Sequence, residues 1–358
     1  MQVLTPSVIC GSAYDIGYEL GSLARPVMSA YMGQSAAWQA VSRWRGHSFV
    51  AELRQAAQTV FPDYVAEIEG MAAGMGWPAE DIFLWNCRGE LIHNAPDGCT
   101  TLAAKSANER LIAHNEDGDP YLRDQCAIVD VRPAGKPGFV SFYYPGSLPG
   151  HTFAVNRAGL VQAINNLRIR HPAVGVPRMV LARAVLDAAS LDAALEVLNA
   201  VPRASGFHHT LGCAGDPRLF SIEATVRRCS VMEVTRLSGH ANHLIHDGFG
   251  GEEQIVTASS RDRQTRLDEL LPSLPGVGES NLLQVLFDQA SKGLPIYRDD
   301  PADPDDENTL ATALFVIQET GVEFEVRQQG ELRFKRFVPR ESHAPEGEAR
   351  QASYHRGV

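Results

Sequence analysis

The sequence predicts an α+β protein in which β-sheets are covered by helices. Apolar residues recur at helical spacing through the first hundred residues, strand-like runs fill the middle of the chain, and helix pairs follow the strands twice. The 358 residues, of which 44% are hydrophobic, are enough to bury a large core without disulfide bonds.

Helices are predicted to dominate the chain before residue 99. The first covers residues 14–33, where Pro26 is expected to bend or split it, and its apolar stripe comprises Ile16, Leu20, Leu23 and Val27. A second helix is predicted at 49–60 with Ser48 as N-cap, and a fourth follows Pro78. In the third, at 64–76, three glycines would allow close backbone packing: Gly70, Gly74 and Gly76.

The pattern changes to strands at residue 99. Residues 99–105 and 110–115 are predicted to form a hairpin with a turn at Ala107-Asn108. Further strands are predicted at 126–133, 138–146, 151–156, 159–165, 207–215, 218–225, 229–237, 312–319, 322–329 and 332–337. Helices are predicted between these strands at 177–190, 191–201, 261–271 and 281–291.

Composition excludes several classes of partner. The formal charge is −11, which argues against nucleic acid or an anionic membrane surface as the main partner. No apolar run reaches the roughly 20 residues of a membrane span, and the first residues lack a signal-peptide pattern. The six cysteines are scattered without a C-x-x-C pair, so reduced thiols and a cytoplasmic location are expected.

No metal or cofactor is predicted. The acidic segment 299–308 is expected to be a solvated linker rather than a calcium site, because it lacks the ordered spacing of a calcium loop. A histidine cluster at 208–209 and 240–246 could ligate zinc, but no accompanying metal motif supports a closed site. Hydrogen-bonded histidines are the favoured interpretation.

Cys99 is the candidate nucleophile. It follows Gly98, whose missing Cβ permits close approach to the peptide bond between them. Attack by the thiol on the Gly98 carbonyl would give a thioester, and its hydrolysis would free the α-amine of Cys99. With a pKa of about 8, that amine can serve as the base for its own thiol. A buried structural cysteine is the alternative.

Eight segments in order resemble the isopenicillin-N acyltransferase family. They are GSAYDIGYELG, EIEGMAAGMG, EDIFLWNCRGEL, DGCTT, AHNED, NRAGLVQAINNL, HANH and SSRDRQTRL. The resemblance implies an αββα N-terminal-nucleophile hydrolase sandwich of two mainly antiparallel sheets covered by helices. It also implies self-cleavage between Gly98 and Cys99. Residues 1–98 and 99–358 would then be two associated fragments of one domain, with a polar tail from about residue 340.

The resemblance also assigns roles to single residues. Cys99 matches the family's nucleophile, and Asp117 matches the Asp that holds the new α-amine and thiol in register. Asn242 matches an Asn that donates to the oxyanion hole. Asn165 aligns with another oxyanion-side Asn, a place that Asn166 could take instead.

Arg261 resembles an Arg near the nucleophile in the wider superfamily, although Arg263 and Arg266 are close by. One departure stands out: the choloylglycine hydrolases, which that family resembles more distantly, have an Arg three residues before the matching Asp, where this chain has His114. A substrate carboxylate or thiolate bound through that Arg is therefore not expected. Taken alone, Asp117 could be a turn residue, Asn242 a strand-end amide and Arg261 a surface charge.

Three functions remain in competition. The first is hydrolysis of a small N-acyl amine or amino acid through a Cys99 acyl-enzyme, because water is always available as the acceptor. The second is transfer from an acyl-coenzyme A thioester. The third is a non-catalytic binding protein with the same fold, which predicts an intact chain and an inert Cys99.

Overall fold

Two β-sheets lie at the centre of the computed structural model, which describes residues 3–92, 98–107, 109–290 and 294–341. The first sheet has eight strands in the order β1-β4-β5-β6-β7-β8-β9-β10. Only the β1–β4 pair among them is parallel. Its strands are β1 Ser7–Gly11, β4 Ala127–Pro133, β5 Phe139–Tyr143, β6 Phe153–Asn156, β7 Leu160–Leu167, β8 Gly206–Cys213, β9 Leu219–Ala224 and β10 Cys229–Glu233.

The second sheet has six antiparallel strands in the order β11-β2-β3-β12-β13-β14. They are β2 Cys99–Lys105, β3 Arg110–Gly118, β11 Leu237–His240, β12 Asn308–Ile317, β13 Gly321–Gln328 and β14 Glu331–Pro339. A core of apolar side chains fills the space between the sheets, to which β3 contributes Ile112 and β5 contributes Phe142.

Helices cover the outer faces of both sheets. The helices are α1 Ala13–Gln34, α2 Ala36–Val41, α3 Ser48–Val60, α4 Pro62–Met75, α5 Ala79–Asn86, α6 Arg88–Leu91, α7 Arg178–Leu186, α8 Leu191–Ala200, α9 Ala258–Leu270 and α10 Glu279–Leu286. Side chains of α1, α4, α7 and α8 join the core of the eight-stranded sheet. Side chains of α9 and α10 pack on the six-stranded sheet in a second cluster. The predicted αββα arrangement is confirmed.

Glycines let α1 and α4 cross in backbone contact. A Cβ built on Gly70 would lie 2.1 Å from the carbonyl oxygen of Tyr14, and one on Gly74 would lie 2.0 Å from that of Tyr18. The predicted close packing at these two positions is confirmed. The third glycine, Gly76, instead ends α4 in a left-handed conformation. The helix α1 continues through the exposed Pro26, so of the two expected effects a split is wrong and a bend stays a prediction.

Several elements differ from the sequence expectations. The segment 229–237 was expected as one strand, but β10 and β11 divide it between the two sheets. The acidic segment 299–308 is not simply solvated, because Asp303 and Glu307 are buried around the guanidinium of Arg298. Strand β1 and helix α2 were not expected; the strand pairs with β4.

Parts of two predictions, the hairpin turn at Asn108 and the tail beyond residue 341, lie outside the described residues, as does the segment 93–97 that precedes Gly98. None of the described helices has both the length and the hydrophobicity of a membrane span.

Candidate active site

Cys99 is the first residue of β2 and pairs with Glu116 of β3 across the hairpin. The residue is 4% exposed. Because side chains alternate along a strand, the hairpin has two distinct faces. The side chain of Ala103 packs in the core between the sheets, whereas Leu102 packs against the α9–α10 side. By this alternation the Cys99 thiol lies on the inter-sheet face.

A chain of polar contacts begins at the thiol on the inter-sheet face. The Sγ of Cys99 lies 3.8 Å from Oε2 of Glu116, and that oxygen lies 3.1 Å from Nε2 of His114. Nδ1 of His114 lies 2.7 Å from the Thr101 hydroxyl. Burial lowers the pKa of His114 to about 3, so this imidazole is neutral at physiological pH.

Asn165 continues this chain. Its Oδ1 accepts a 2.6 Å hydrogen bond from Thr101, and its Nδ2 donates to the carbonyl oxygen of His240 at 3.1 Å. The structure therefore places Asn165 behind Thr101, and in this chain of contacts Glu116, His114 and Thr101 separate it from the thiol. The neighbouring Asn166 accepts from Nδ2 of Asn242 through its backbone oxygen.

The histidine cluster forms its own hydrogen-bonded group. The rings of His208 and His240 stack with centroids 3.6 Å apart. Nε2 of His240 lies 3.0 Å from Oε1 of Glu223, and Nε2 of His246 lies 3.0 Å from the Ser221 hydroxyl. These contacts support the interpretation of hydrogen-bonded histidines. A different trio, Cys99, His114 and Glu116, offers three possible metal-ligand atoms within 4.8 Å of one another.

Asn242 and an arginine hold the backbone of Cys99. The backbone N–H of Cys99 donates to Oδ1 of Asn242 at 2.9 Å. The same oxygen accepts from the Arg263 guanidinium at 2.7 Å, and Arg263 also donates to the backbone oxygen of Cys99. The side-chain oxygen of Asn242 thus accepts from the nitrogen of the bond to be cleaved. Its Nδ2 donates to the backbone oxygen of Asn166.

Arg263, rather than Arg261, lies beside the nucleophile. The two residues are two positions apart on α9, and on a helix such positions point in nearly opposite directions. Arg261 faces solvent, whereas Arg263 is 1% exposed. Burial lowers the pKa of Arg263, although the nearby Asp117 and Glu307 act in the opposite direction.

Asp117 contacts Gly98 through both its backbone and its side chain. Its N–H donates to the carbonyl oxygen of Gly98 at 2.8 Å. Its Oδ1 accepts a 2.6 Å hydrogen bond from Thr309, which lies at a β-bulge of β12. Within the described part of the chain, its buried Oδ2 has no hydrogen-bond partner. Burial raises the pKa of Asp117, opposed by the guanidinium groups of Arg263 and Arg298.

A second carboxylate, that of Glu307, lies close to the α-carbon of Gly98. A Cβ built on Gly98 would lie 2.5 Å from Oε2 of Glu307 and 3.2 Å from Cβ of Asp117. Oε2 of Glu307 accepts a 2.6 Å hydrogen bond from the buried Arg298, which also binds Asp303. Burial raises the pKa of Glu307 to about 7.

Sequence reasoning missed two of the acidic side chains at this site. A signal for Glu116 was present, because the predicted turn at 107–108 already pairs Cys99 with Glu116 in an antiparallel hairpin. Glu307 gave no comparable signal. It lies in an acidic run, and such a run ordinarily indicates a solvated surface.

Comparison with known proteins is consistent with this geometry. The family model for acyl-coenzyme A:6-aminopenicillanic acid acyl-transferase matches residues 104–331, which is more than half of the chain. A beta-alanyl-dopamine/carcinine hydrolase of Drosophila melanogaster is 28% identical over 219 residues. That alignment covers 52% of this chain and 55% of the Drosophila protein, so it spans about half of that relative.

A second relative is matched over more of its length. The acyl-coenzyme A:6-aminopenicillanic-acid-acyltransferase 40 kDa form of Emericella nidulans is 25% identical over 293 residues, covering 75% of this chain and 78% of that protein. The resemblance inferred from the ordered motifs is confirmed. This chain belongs to the acyl-coenzyme A:6-aminopenicillanic acid acyl-transferase family, whose named relatives include an acyltransferase and a hydrolase.

Proposed function

We propose that this chain is a self-cleaving cysteine hydrolase that acts on small N-acyl amines through an acyl-enzyme on Cys99. One observation carries the proposal: the Gly98–Cys99 peptide bond is held at both ends. The carbonyl oxygen of Gly98 accepts from the backbone N–H of Asp117, and the N–H of Cys99 donates to Asn242. A peptide bond held in this way has its carbonyl polarised and its nitrogen fixed.

Self-cleavage would proceed by attack of Sγ on the Gly98 carbonyl carbon. The S–C bond forms, the C–N bond breaks, and the oxyanion that develops on the way is stabilised by the Asp117 N–H. Water then hydrolyses the Gly98 thioester, which regenerates the thiol and leaves Cys99 with a free α-amine. Asn242 keeps its position beside that nitrogen.

Turnover would reuse the same groups. Once Gly98 is released, the Asp117 N–H can bind a substrate carbonyl oxygen, and the α-amine can take the thiol proton. Acyl transfer to Sγ expels the amine of the substrate, and water releases the acid from the acyl-enzyme. In this scheme the oxyanion donor is the backbone of Asp117, whereas Asn242 positions the nucleophile.

The two fragments would remain associated after cleavage. Strand β1 comes from the first fragment and pairs with β4 of the second within one sheet. The side chains of α1 and α4 share a single apolar core with the strands of the second fragment. Separation would expose this core to water, which opposes dissociation.

A named relative favours an N-acyl amine over acyl-coenzyme A as the substrate. The hydrolase from Drosophila has a name that refers to beta-alanyl-dopamine and carcinine, and beta-alanyl-dopamine is an amide. Hydrolysis of such a compound needs only water as the acceptor.

Acyl transfer from coenzyme A is the second candidate. It is favoured by the family model, whose description is an acyl-coenzyme A-dependent transferase, and by the E. nidulans relative of the same kind. Which reaction prevails depends on whether an acceptor amine displaces water from the acyl-enzyme.

Intact mass of the purified chain tests the proposal. Wild type should yield one fragment that ends at Gly98 and one that begins at Cys99, while Cys99→Ala should remain whole. The matured protein is then incubated with a panel of N-acyl amines and acyl-coenzyme A thioesters, and adducts on Cys99 are identified by mass. Adducts from the amides support hydrolysis, and adducts from the thioesters alone support transfer.

The binding-protein alternative makes the opposite prediction. A wild-type chain that stays whole on prolonged incubation, and whose Cys99 takes no acyl group from any member of the panel, would exclude both enzymatic candidates. Localisation in the cytoplasm remains a prediction, which fractionation of expressing cells would test.

A further inference from the structure

Self-cleavage requires a base that the matured enzyme does not need. Before the chain is cut, the nitrogen of Cys99 is an amide whose lone pair is delocalised into the carbonyl. It therefore cannot accept the thiol proton, as the free α-amine does after cleavage. Some other group must accept that proton in the first step. This reasoning rests on the proposed function.

Glu116 lies where such a base is needed. It is paired with Cys99 across the hairpin, and its Oε2 is 3.8 Å from Sγ. Its side chain is buried between the sheets, on the same face as the thiol. Asp117, the next residue, points to the opposite face, where its Oδ1 accepts from Thr309. Because side chains alternate along β3, Glu116 lies on the face of the thiol and Asp117 lies on the opposite face.

The hydrogen bonds behind Glu116 fix the tautomer of His114. Nδ2 of Asn165 donates to a backbone carbonyl, so its Oδ1 must accept, and the Thr101 hydroxyl must supply that hydrogen. Having donated its only hydrogen, the Thr101 oxygen must accept from Nδ1 of His114. A neutral His114 with its proton on Nδ1 then presents the lone pair of Nε2 to Glu116, 3.1 Å away.

The contact between Glu116 and His114 can accommodate a proton that the carboxyl takes up. Once the carboxyl is protonated, the same contact becomes an O–H···N hydrogen bond from Oε2 to Nε2. The Glu116–His114 pair thus gains a hydrogen bond when it takes a proton, and the nearest thiol proton is that of Cys99.

We propose that Glu116 is the general base for self-cleavage, taking the Cys99 thiol proton while His114 positions and stabilises the protonated carboxyl. The thiol proton moves to Oε2 as Sγ bonds to the Gly98 carbonyl carbon. The proton then passes from Oε2 to the departing nitrogen as the C–N bond breaks, which yields a neutral amine and the thioester. Glu116 is an anion again at the end, so protons and charge balance. Nothing beyond this chain is required until water hydrolyses the thioester.

The test follows the rate of self-cleavage in the full chain of Glu116→Gln. A general base contributes roughly a hundredfold to ten-thousandfold, so the first-order rate constant, read from denaturing gels after synthesis, should fall by at least about a hundredfold. Turnover per mole of cleaved protein should fall by a smaller factor than the cleavage rate, because the α-amine is then available as the base. Glu116→Asp keeps the carboxylate and should recover much of the cleavage rate.

A matched control is available in Glu223→Gln. Glu223 is also a buried glutamate 3.0 Å from a histidine nitrogen, but it belongs to β9 and contacts His240. This variant should cleave at the wild-type rate, with the melting temperature of each variant showing that it is folded. Hydroxylamine gives a second readout, since it intercepts a thioester at Gly98. It should not restore cleavage in Glu116→Gln, where the thioester fails to form.

Each outcome decides the inference. An unchanged cleavage rate in Glu116→Gln overturns the role of Glu116 but leaves the proposed function intact. A variant that hydroxylamine cleaves at the wild-type rate overturns it too, since Glu116 would then act on thioester hydrolysis. Equal losses in cleavage and turnover indicate a structural role and also overturn it. A wild type that stays whole overturns the proposed function and this inference with it.

Discussion

The two faces of the β2–β3 hairpin act on different atoms of the same peptide bond. On the inter-sheet face, Glu116 and His114 lie beside the sulfur. Around the other side, Asp117 binds the Gly98 oxygen, and Asn242 and Arg263 hold the backbone of Cys99. Because side chains alternate along a strand, the groups beside the thiol are separate from the groups that restrain the carbonyl. A substitution can therefore alter one set without altering the other.

Gly98→Ala should produce the largest effect on the carbonyl side. The added methyl group would meet Oε2 of Glu307 at 2.5 Å, and Glu307 is anchored by its bond to Arg298. The Gly98 carbonyl must then move away from the Asp117 N–H. Losing such a donor slows cleavage by roughly a hundredfold to a thousandfold, measured by gel as fraction cut against time.

Gly250→Ala is the matched control, because a Cβ at that loop position meets no atom within 4 Å. If Gly98→Ala cleaves as fast as Gly250→Ala, restraint of the carbonyl does not contribute to the reaction.

Asp117→Asn should have the next largest effect, and it should act on turnover. The substitution keeps the backbone N–H and the bond from Thr309 but replaces the carboxyl group beside the reacting atoms with an amide. We expect kcat to fall roughly a hundredfold through misplacement of the α-amine and thiol, with the melting temperature nearly unchanged. Full activity on a substrate that wild type hydrolyses would contradict this role.

Arg263→Lys should weaken both the fold and the reaction. Lysine cannot reproduce the fork that reaches the backbone oxygen of Cys99 and Oδ1 of Asn242 together. The loss of charge-assisted hydrogen bonds should cost about 2 kcal/mol of unfolding free energy and about tenfold in turnover. Arg261→Lys, on the exposed face of the same helix, should change neither quantity. Equal effects of the two substitutions on denaturant unfolding would exclude the structural assignment of Arg263.

The sequence was sufficient for the fold class and for the centre of the site. Periodicity and turn residues are local properties, and they predicted the hairpin that carries Cys99 and most strands of both sheets. The ordered motifs placed Cys99, Asp117 and Asn242, which the fold brings together around one peptide bond. The roles assigned to them remain predictions.

The rest depended on contacts between distant parts of the chain. The helix α9 is so polar that its sequence does not reveal which face is buried, and so Arg261 and Arg263 could not be distinguished. The acidic run around Glu307 has the composition of a solvated loop. The ion pair with the buried Arg298 offsets the cost of burying the Glu307 carboxyl. Strand β1 is short and separated from β4 by more than a hundred residues.

Glu307→Gln tests the carbonyl side through the pH dependence of stability rather than through catalysis. Burial raises the pKa of Glu307 from 4.5 to about 7 in the folded state. In the unfolded chain this group loses its proton first, so between about pH 4.5 and 7 the folded state binds more protons than the unfolded one. The contribution of Glu307 to stability is therefore fully present at low pH and is lost as pH rises through this window.

The size of the whole loss is roughly 3–4 kcal/mol, since each pKa unit corresponds to about 1.4 kcal/mol. Glutamine does not titrate, so the stability of Glu307→Gln relative to wild type should increase between pH 5 and 8, as measured by urea unfolding at each pH. A difference between the two proteins that stays constant across this range would mean that Glu307 titrates normally. Its carboxylate would then be charged beside Gly98 at neutral pH.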